Sequence, residues 1–180
     1  MKTLTTERTI LRTFMTDDTP DVFEYAKSLD VGPYAGWKPH KSIEETQTIV
    51  ENFISENEVW AIVFKETGRV VGSVGLHKDA KRTFAANTAK ELGYVLSPKY
   101  WNRGIITEVC KEVLRFAFET MKLETVSVGH FDFNPRSMRV IEKLGFKYEG
   151  TLRNAAYNLY GELCDELVYS KTKEEYFSGK

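Results

Sequence analysis

The sequence predicts a single mixed α/β domain, and three observations carry that expectation. The apolar residues change period along the chain, from alternation to a spacing of three and four and back again. Its 180 residues can bury one substantial core and are few for two. No repeat, low-complexity run or Pro/Gly/Ser-rich linker divides the chain, so residues 1–180 are read as one domain.

The elements follow in order. Residues 8–14 alternate as a first strand. Thr19-Pro20-Asp21 opens a helix, with threonine able to cap it and proline in the first turn, and Val22, Phe23, Ala26 and Leu29 recur on one face. A loop over 30–41 holds Gly32, Pro33, Gly36 and Pro39 among Tyr34, Trp37 and His40. Ser42 with Glu45 reads as a capping box for a helix whose apolar face is Ile49, Val50, Phe53 and Ile54.

Strands over 59–65 and 70–76 are joined by a glycine-containing hairpin turn, and a further strand covers 91–97. The longest helix runs over 103–122, with Ile106, Val109, Cys110, Val113, Ala117 and Met121 on one side. A strand over 125–133, a helix over 135–144 stopped by Gly145, and strands over 146–157 and 163–170 finish the chain, making seven strands in all. This order implies a sheet that is antiparallel early, with one neighbouring pair made parallel by a crossover helix.

Composition excludes several functions. The 42% hydrophobic and 28% charged fractions are those of an ordinary soluble globular chain. A net charge of −1 gives no field to gather nucleic acid or anionic lipid. No apolar run reaches the roughly 18 residues that span a bilayer, and the first residues lack the apolar stretch of a secretory signal. Cys110 and Cys164, without metal-ligand spacing, are expected as buried thiols in a reducing compartment. The expectation is a cytoplasmic protein that engages no membrane, no nucleic acid and no metal.

Residues 91–108, Glu-Leu-Gly-Tyr-Val-Leu-Ser-Pro-Lys-Tyr-Trp-Asn-Arg-Gly-Ile-Ile-Thr-Glu, carry the chemistry. A strand leads through a glycine turn into the long helix. The amides at a helix start lack partners and the macrodipole is positive there, which suits a phosphate. Gly104 permits close backbone approach, Arg103 adds charge and Thr107 a hydroxyl. Such turns also occur for purely structural reasons. A P-loop is excluded because its Gly-Lys-Ser/Thr ending is missing, and a dinucleotide fingerprint because two glycines are absent.

The segment resembles the pyrophosphate motif of the GCN5-related N-acetyltransferases, GNAT, in the branch of the ribosomal-protein N-terminal (RimJ/RimL-like) enzymes. Gly93, Tyr94, Pro98, Tyr100, Trp101, Gly104 and Glu108 match in order and spacing. A second block, Asn134-Pro135-Arg136-Ser137 and then Val140 through Phe146, is similar to the family's asparagine–x–x–serine helix. A third, Gly36 through His40 with Ser42, Glu44 and Glu45, is similar to the acceptor-side loop of the branch. The likeness extends over nearly the whole chain.

The resemblance implies a GNAT-like sheet with a splayed parallel central pair, helices on both faces, and direct transfer of an acetyl group from acetyl-coenzyme A to a primary amine. It implies that Val95 and Leu96 offer backbone groups to the pantetheine arm. The amides around Arg103, Gly104 and Ile106 hold the pyrophosphate beside Thr107, and Asn134 contacts the arm from the far side. Likeness to the ribosomal-protein branch implies that Ser137, the serine of the asparagine block, protonates the leaving thiolate; the tyrosine used elsewhere in the family is Ile141 here. Tyr34, Trp37 and Tyr157 are expected along the acceptor.

The branch's glutamate base falls at Ala156, which takes no proton. Either the acceptor is of low basicity, since an α-amine titrates near 7.7–8.0 and lysine near 10.4, or a base is borrowed from elsewhere, for which His40 is the best spare candidate. The leading expectation is an acceptor that is a protein N-terminus or a small amine. A coenzyme-binding sensor without catalysis is the alternative, and relatives are often homodimers.

Glu108 is expected to turn toward the fold, His77 and His130 to be structural, Cys110 to sit in the core, and Lys171, Lys173 and Lys180 to be solvated tail charges.

Overall fold

The protein is described from a computed structural model covering residues 1–82 and 87–179. Lys180 lies outside the described residues. One sheet runs through the chain in the order β1-β2-β3-β4-β5-β6-β8-β7. Its strands are β1 (Leu4–Thr5), β2 (Thr9–Thr13), β3 (Val59–Phe64), β4 (Val70–Lys78), β5 (Ala89–Leu96), β6 (Thr125–Phe131), β7 (Lys147–Tyr157) and β8 (Leu163–Thr172). The helices are α1 (Thr19–Ala26), α2 (Ile43–Glu56), α3 (Ile105–Arg115), α4 (Pro135–Lys143) and α5 (Lys173–Ser178).

The described residues form eight strands where the sequence predicted seven. The addition is β1, whose two residues are too short to show a period; only its pairing with β2 at Leu4↔Leu11 and Thr5↔Ile10 defines it. The β1–β2, β2–β3, β3–β4, β6–β8 and β7–β8 pairs are antiparallel, and β5–β6 is parallel. That parallel register covers Ala89↔Thr125, Lys90↔Val126 and Glu91↔Ser127, although both strands run on beyond it.

The chain divides into two compact units, Met1–Gly75 with Tyr94–Val109, and Leu76–Gly93 with Cys110–Lys180.

In the first unit, β3 buries all six of its residues, Val-Trp-Ala-Ile-Val-Phe, as expected of a strand covered on both faces. Phe14, Val22, Tyr25, Ala26, Val50 and Val59 form its core with the helices. Phe14 and Phe53 meet at 5.1 Å between ring centroids. Helix α1 stops at Ala26, so Leu29, expected on its apolar face, is exposed. Thr19 is inside α1 and bonds back to the Thr16 carbonyl at 2.7 Å; it is not the cap. A 3-10 turn over Thr16–Asp18 precedes the helix and supplies that bond.

Ser42 caps α2 as predicted, accepting from the Glu45 amide at 3.2 Å. Glu45 reaches one residue further back than a capping box requires, to the Lys41 amide at 2.7 Å.

In the second unit, Cys110, Val113, Leu114, Ala117 and Phe118 make the buried stripe of the long helix. The helix is shorter than predicted at its start, because Asn102 (φ 59°) and Gly104 (φ 74°) are left-handed and delay it to Ile105. After Arg115 it widens into a π-type turn over Phe116–Thr120, closed by Met121 N–H on the Phe116 carbonyl at 3.0 Å. The extra residue rotates the last turn and leaves Met121 exposed, where the 3.6-residue period had placed it on the buried face.

Helix α5 was not predicted. It docks by stacking Tyr176 on Phe118 at 4.9 Å and starts with a Thr172–Glu175 capping box. Lys171 is not a solvated tail charge but donates to the Leu144 carbonyl at 2.8 Å, and Lys173 pairs with Glu124 at 2.7 Å.

Candidate active site

The amino end of α3 is built entirely within the first unit. Pro98–Tyr100 forms a 3-10 turn after β5, and Gly104 then takes φ 74°, where a side chain is strained whatever the space around it. Glu108 N–H closes the first helical bond on the Gly104 carbonyl at 3.1 Å. The amides of Ile105, Ile106 and Thr107 precede that bond and so have no partner within the helix. Ile105 is buried and Ile106 only half-buried, which reverses the predicted placement of Ile106 on the apolar face. Thr107 is half-buried on the same turn.

Arg103 stacks its guanidinium on Phe64, 5.1 Å from the ring centroid, and lies 5.7 Å from that of Tyr100. Its carbonyl accepts from Arg8 Nη1 at 2.7 Å. Glu108 turns toward the fold as predicted, accepting from the Arg8 backbone amide at 2.9 Å and from Arg8 Nε at 2.7 Å. Burial opposes ionisation of Glu108, but the Thr6 hydroxyl and Arg8 outweigh it and hold the carboxyl below its ordinary range.

The end of β5 is pinned in the same unit. The Leu96 carbonyl accepts from Trp101 Nε1 at 2.7 Å, and the next amide, Ser97 N–H, donates to the Val71 carbonyl at 2.7 Å. The Val95 carbonyl faces Gly72, where a Cβ would come within 2.3 Å of it. The expectation that Val95 and Leu96 offer backbone groups to a ligand is thereby narrowed, since the Leu96 carbonyl is occupied.

In the acceptor-side loop, His40 Nδ1 lies 2.9 Å from Thr46 Oγ1, and that hydroxyl donates to the Ser42 carbonyl at 3.1 Å. A hydroxyl has one proton to give, so Nδ1 carries the ring proton and Nε2 keeps its lone pair. Burial pulls the His40 pKa below 6.5, against the opposing pull of Glu45. The ring rests 5.2 Å from Trp37. Trp37 also packs over Gly32, where a Cβ would lie 2.5 Å from its ring, so Trp37 is partly a core residue. Tyr34 is half-buried in the 3-10 turn Gly32–Ala35.

In the second unit, Asn134 caps α4, its Oδ1 accepting from the Ser137 amide at 3.1 Å. Ser137 stands in the first turn, half-buried. Ile141, at the family's tyrosine position, is fully buried core. Tyr157 is exposed at the end of β7, one residue after Ala156, whose carbonyl accepts from the Cys164 thiol at 3.4 Å. His130 bonds to the Phe131 carbonyl at 2.8 Å and stacks on Tyr169, and His77 packs against Gly93. Cys110 and Cys164 are both free thiols and buried, and burial raises both pKa values.

Sequence reasoning assigns no role to Arg8 or the buried Asp79, and reads Trp101 only as a motif residue, without its hydrogen bond to Leu96. Asp79 accepts from Ser127 Oγ at 2.7 Å and from Arg82 Nη1 at 2.8 Å. Glu108 stands 100 residues from Arg8 and Ser127 48 from Asp79, whereas the Trp101–Leu96 and Arg82–Asp79 spacings of five and three are local enough to have been legible. Among the described residues no group of three or more His, Cys, Asp or Glu could hold a metal ion. No described helix is long and apolar enough to cross a membrane.

Residues 8–147 match the Acetyltransferase (GNAT) domain family. This chain belongs to the GNAT acetyltransferases. It is 30% identical over 175 residues to the uncharacterized N-acetyltransferase YoaA of Bacillus subtilis, covering 94% of this chain and 96% of that protein. The crystal structure of a GNAT-family acetyltransferase from Bacillus anthracis superposes with a TM-score of 0.87 at 27% identity, covering 97% of this chain and 100% of that one.

The ribosomal-protein-S5-alanine acetyltransferase of Vibrio fischeri shares the fold, with a TM-score of 0.79 at 19% identity over 98% of this chain and 99% of that one. The GNAT assignment makes the protein an acyltransferase. A coenzyme with a diphosphate fits the residues present. Gly104 carries no Cβ, a Cβ there would meet only Arg8 at 3.7 Å, and the α3 amides follow directly.

Proposed function

We propose that this GNAT protein transfers the acetyl group of acetyl-coenzyme A directly to a primary amine, either a protein N-terminal α-amine or a small amine. The observation that carries the reading is the left-handed Gly104 at the head of α3, which leaves a row of helix-start amides for a diphosphate. Gly104 and Ile106 would bind it through backbone N–H groups, Arg103 through charge and Thr107 through its hydroxyl. Val95 and Leu96 would hold the pantetheine arm through strand backbone, and Asn134 through its side-chain amide. When bound, acetyl-coenzyme A supplies an activated thioester.

The chain's own work is positioning and proton handling. Holding the reactants in place accounts for about 7–11 kcal/mol of barrier in well-oriented systems. Ser137 Oγ holds a proton for the leaving sulfur. His40, neutral at pH 7 with Nε2 unprotonated, takes one from the incoming amine. Tyr34, Trp37 and Tyr157 line the acceptor. Ala156 supplies no second base, which favours an amine that is substantially neutral by itself, such as an N-terminus. Two buried free thiols suit a reducing, cytoplasmic location.

The test is release of coenzyme A thiol with a panel of N-terminal peptides, polyamines and amino acids. Turnover is expected with α-amine peptides near pH 7.5. Tight calorimetric binding of acetyl-coenzyme A with no thiol released from any amine would replace this reading with that of a sensor.

A further inference from the structure

We propose that Arg8 is a positioning residue for the diphosphate turn: by clamping the carbonyl of Arg103, it aims the Gly104 N–H at the ligand. This rests on the coenzyme reading above and adds a residue to it. All groups involved belong to the first unit.

No peptide bond of the described chain is cis, and in a trans peptide the C=O and the following N–H point in opposite directions. Arg8 Nη1 holds the Arg103 carbonyl at 2.7 Å, so the Gly104 N–H of the same peptide plane points directly away from Arg8. The chain shows the same arrangement seven residues earlier. There the Leu96 carbonyl is held by Trp101, and Ser97 N–H points the other way, onto Val71.

Gly104 at φ 74° has no Cβ to resist rotation of that peptide, so an external clamp is needed to keep it in one orientation. Unclamped, the plane can turn its carbonyl oxygen toward the diphosphate and repel it.

Arg8 is itself immobilised. Its Nε donates to Glu108 at 2.7 Å, its Nη2 pairs with Glu108 at 2.6 Å, and its own backbone amide donates to Glu108 at 2.9 Å. Its carbonyl accepts from Lys65 N–H at 3.0 Å, which ties it to the end of β3. The guanidinium also offsets the Glu108 carboxylate, which would otherwise place negative charge beside a diphosphate at the helix start. A lysine can supply that charge. It lacks the planar fork that reaches Glu108 and the Arg103 carbonyl together.

The experiment compares Arg8→Lys and Arg8→Met with the unaltered protein. Calorimetric titration with coenzyme A is the binding readout, and thermal melting checks the fold. Arg8→Lys is expected to melt near the unaltered protein while binding coenzyme A about tenfold more weakly, as for loss of a hydrogen bond to a charged group. Arg8→Met, losing charge as well, should bind more weakly still. With S-acetylpantetheine as donor, which carries no diphosphate, kcat/KM should be unchanged in Arg8→Lys.

An Arg8→Lys protein that binds coenzyme A as tightly as the parent would overturn the clamp. So would an equal loss with S-acetylpantetheine, since that marks a general structural defect. Failure of the unaltered protein to bind coenzyme A would instead sink the acetyltransferase proposal, a distinguishable result.

Discussion

The His40 imidazole shows how a neighbour's single proton settles a side chain's chemistry. Thr46 gives its hydroxyl proton to the Ser42 carbonyl, so the ring must give its own to Thr46, and Nε2 is left as a base. Burial favours the neutral ring and lowers its pKa below 6.5. On the proposed role of His40 as base, its neutral form prevails at pH 7, and the rate is expected to fall as pH drops below 6.5 into the range where the ring protonates. His40→Ala is expected to lower kcat about 100-fold, at the low end for a positioned base, and to remove that acidic limb. A pH–rate profile that keeps the limb in the variant would assign it to another group.

The same scale shows what single residues conceal. Arg8 and Glu108 stand 100 residues apart in sequence, and nothing local marks either as the other's partner. The expectation that Glu108 faces the fold came from the opposite direction, since a carboxylate beside a diphosphate would repel it.

Among elements, the start of α2 was legible, since Ser42 precedes a run with helical period and caps it through its side chain. Thr19 does not cap α1, and Asn134, read only as a coenzyme contact, caps α4. Asn134 thus has a structural task beside any contact with a coenzyme arm. Asn134→Ala should cost about 1 kcal/mol of stability by chemical denaturation, and Asn134→Ser only a fraction of that, because serine also caps. Equal stability for all three proteins would show that α4 is held by its packing alone.

Elements that tertiary contacts create were illegible. β1 exists through its pairing with β2, α5 through the seat Phe118 gives Tyr176, and the π-type turn through a local insertion no periodicity anticipates. Of the lysines read as tail charges, Lys171 was misplaced for the same reason: it reaches the carbonyl of Leu144, the residue that closes α4, 27 residues back.

At the scale of the whole molecule, stability should depend on a few ionised carboxyls. Burial works against ionisation of Asp79, Glu108 and Glu149. Ser127 and Arg82 overcome it for Asp79, Thr6 and Arg8 for Glu108, and Ser170 and Arg82 for Glu149, so all three titrate below their ordinary values of 3.8 or 4.5. A depressed carboxyl stabilises the fold above its unfolded pKa, and that contribution is lost as pH falls through the folded value. Melting temperature is therefore expected to be flat from pH 7 to about 5 and to fall steeply below about 4. Asp79→Asn should start from a lower melting temperature and show a shallower fall. An unchanged slope would remove Asp79 from the acid response.

The sequence by itself determined the mixed α/β class, the family motifs, the cap of α2 and the buried stripe of the long helix. Each depends on residues within a turn or two of one another, where period and spacing act directly. Tertiary structure alone decided which way the turn at Gly104 faces, which carbonyls of β5 are taken, and which ring nitrogen of His40 is bare. For the turn at Gly104 the partner, Arg8, stands 95 residues from the Arg103 carbonyl it holds; for Leu96 and His40 the partners are only five and six residues off, yet a hydrogen bond's direction is set by the meeting of two groups rather than by either.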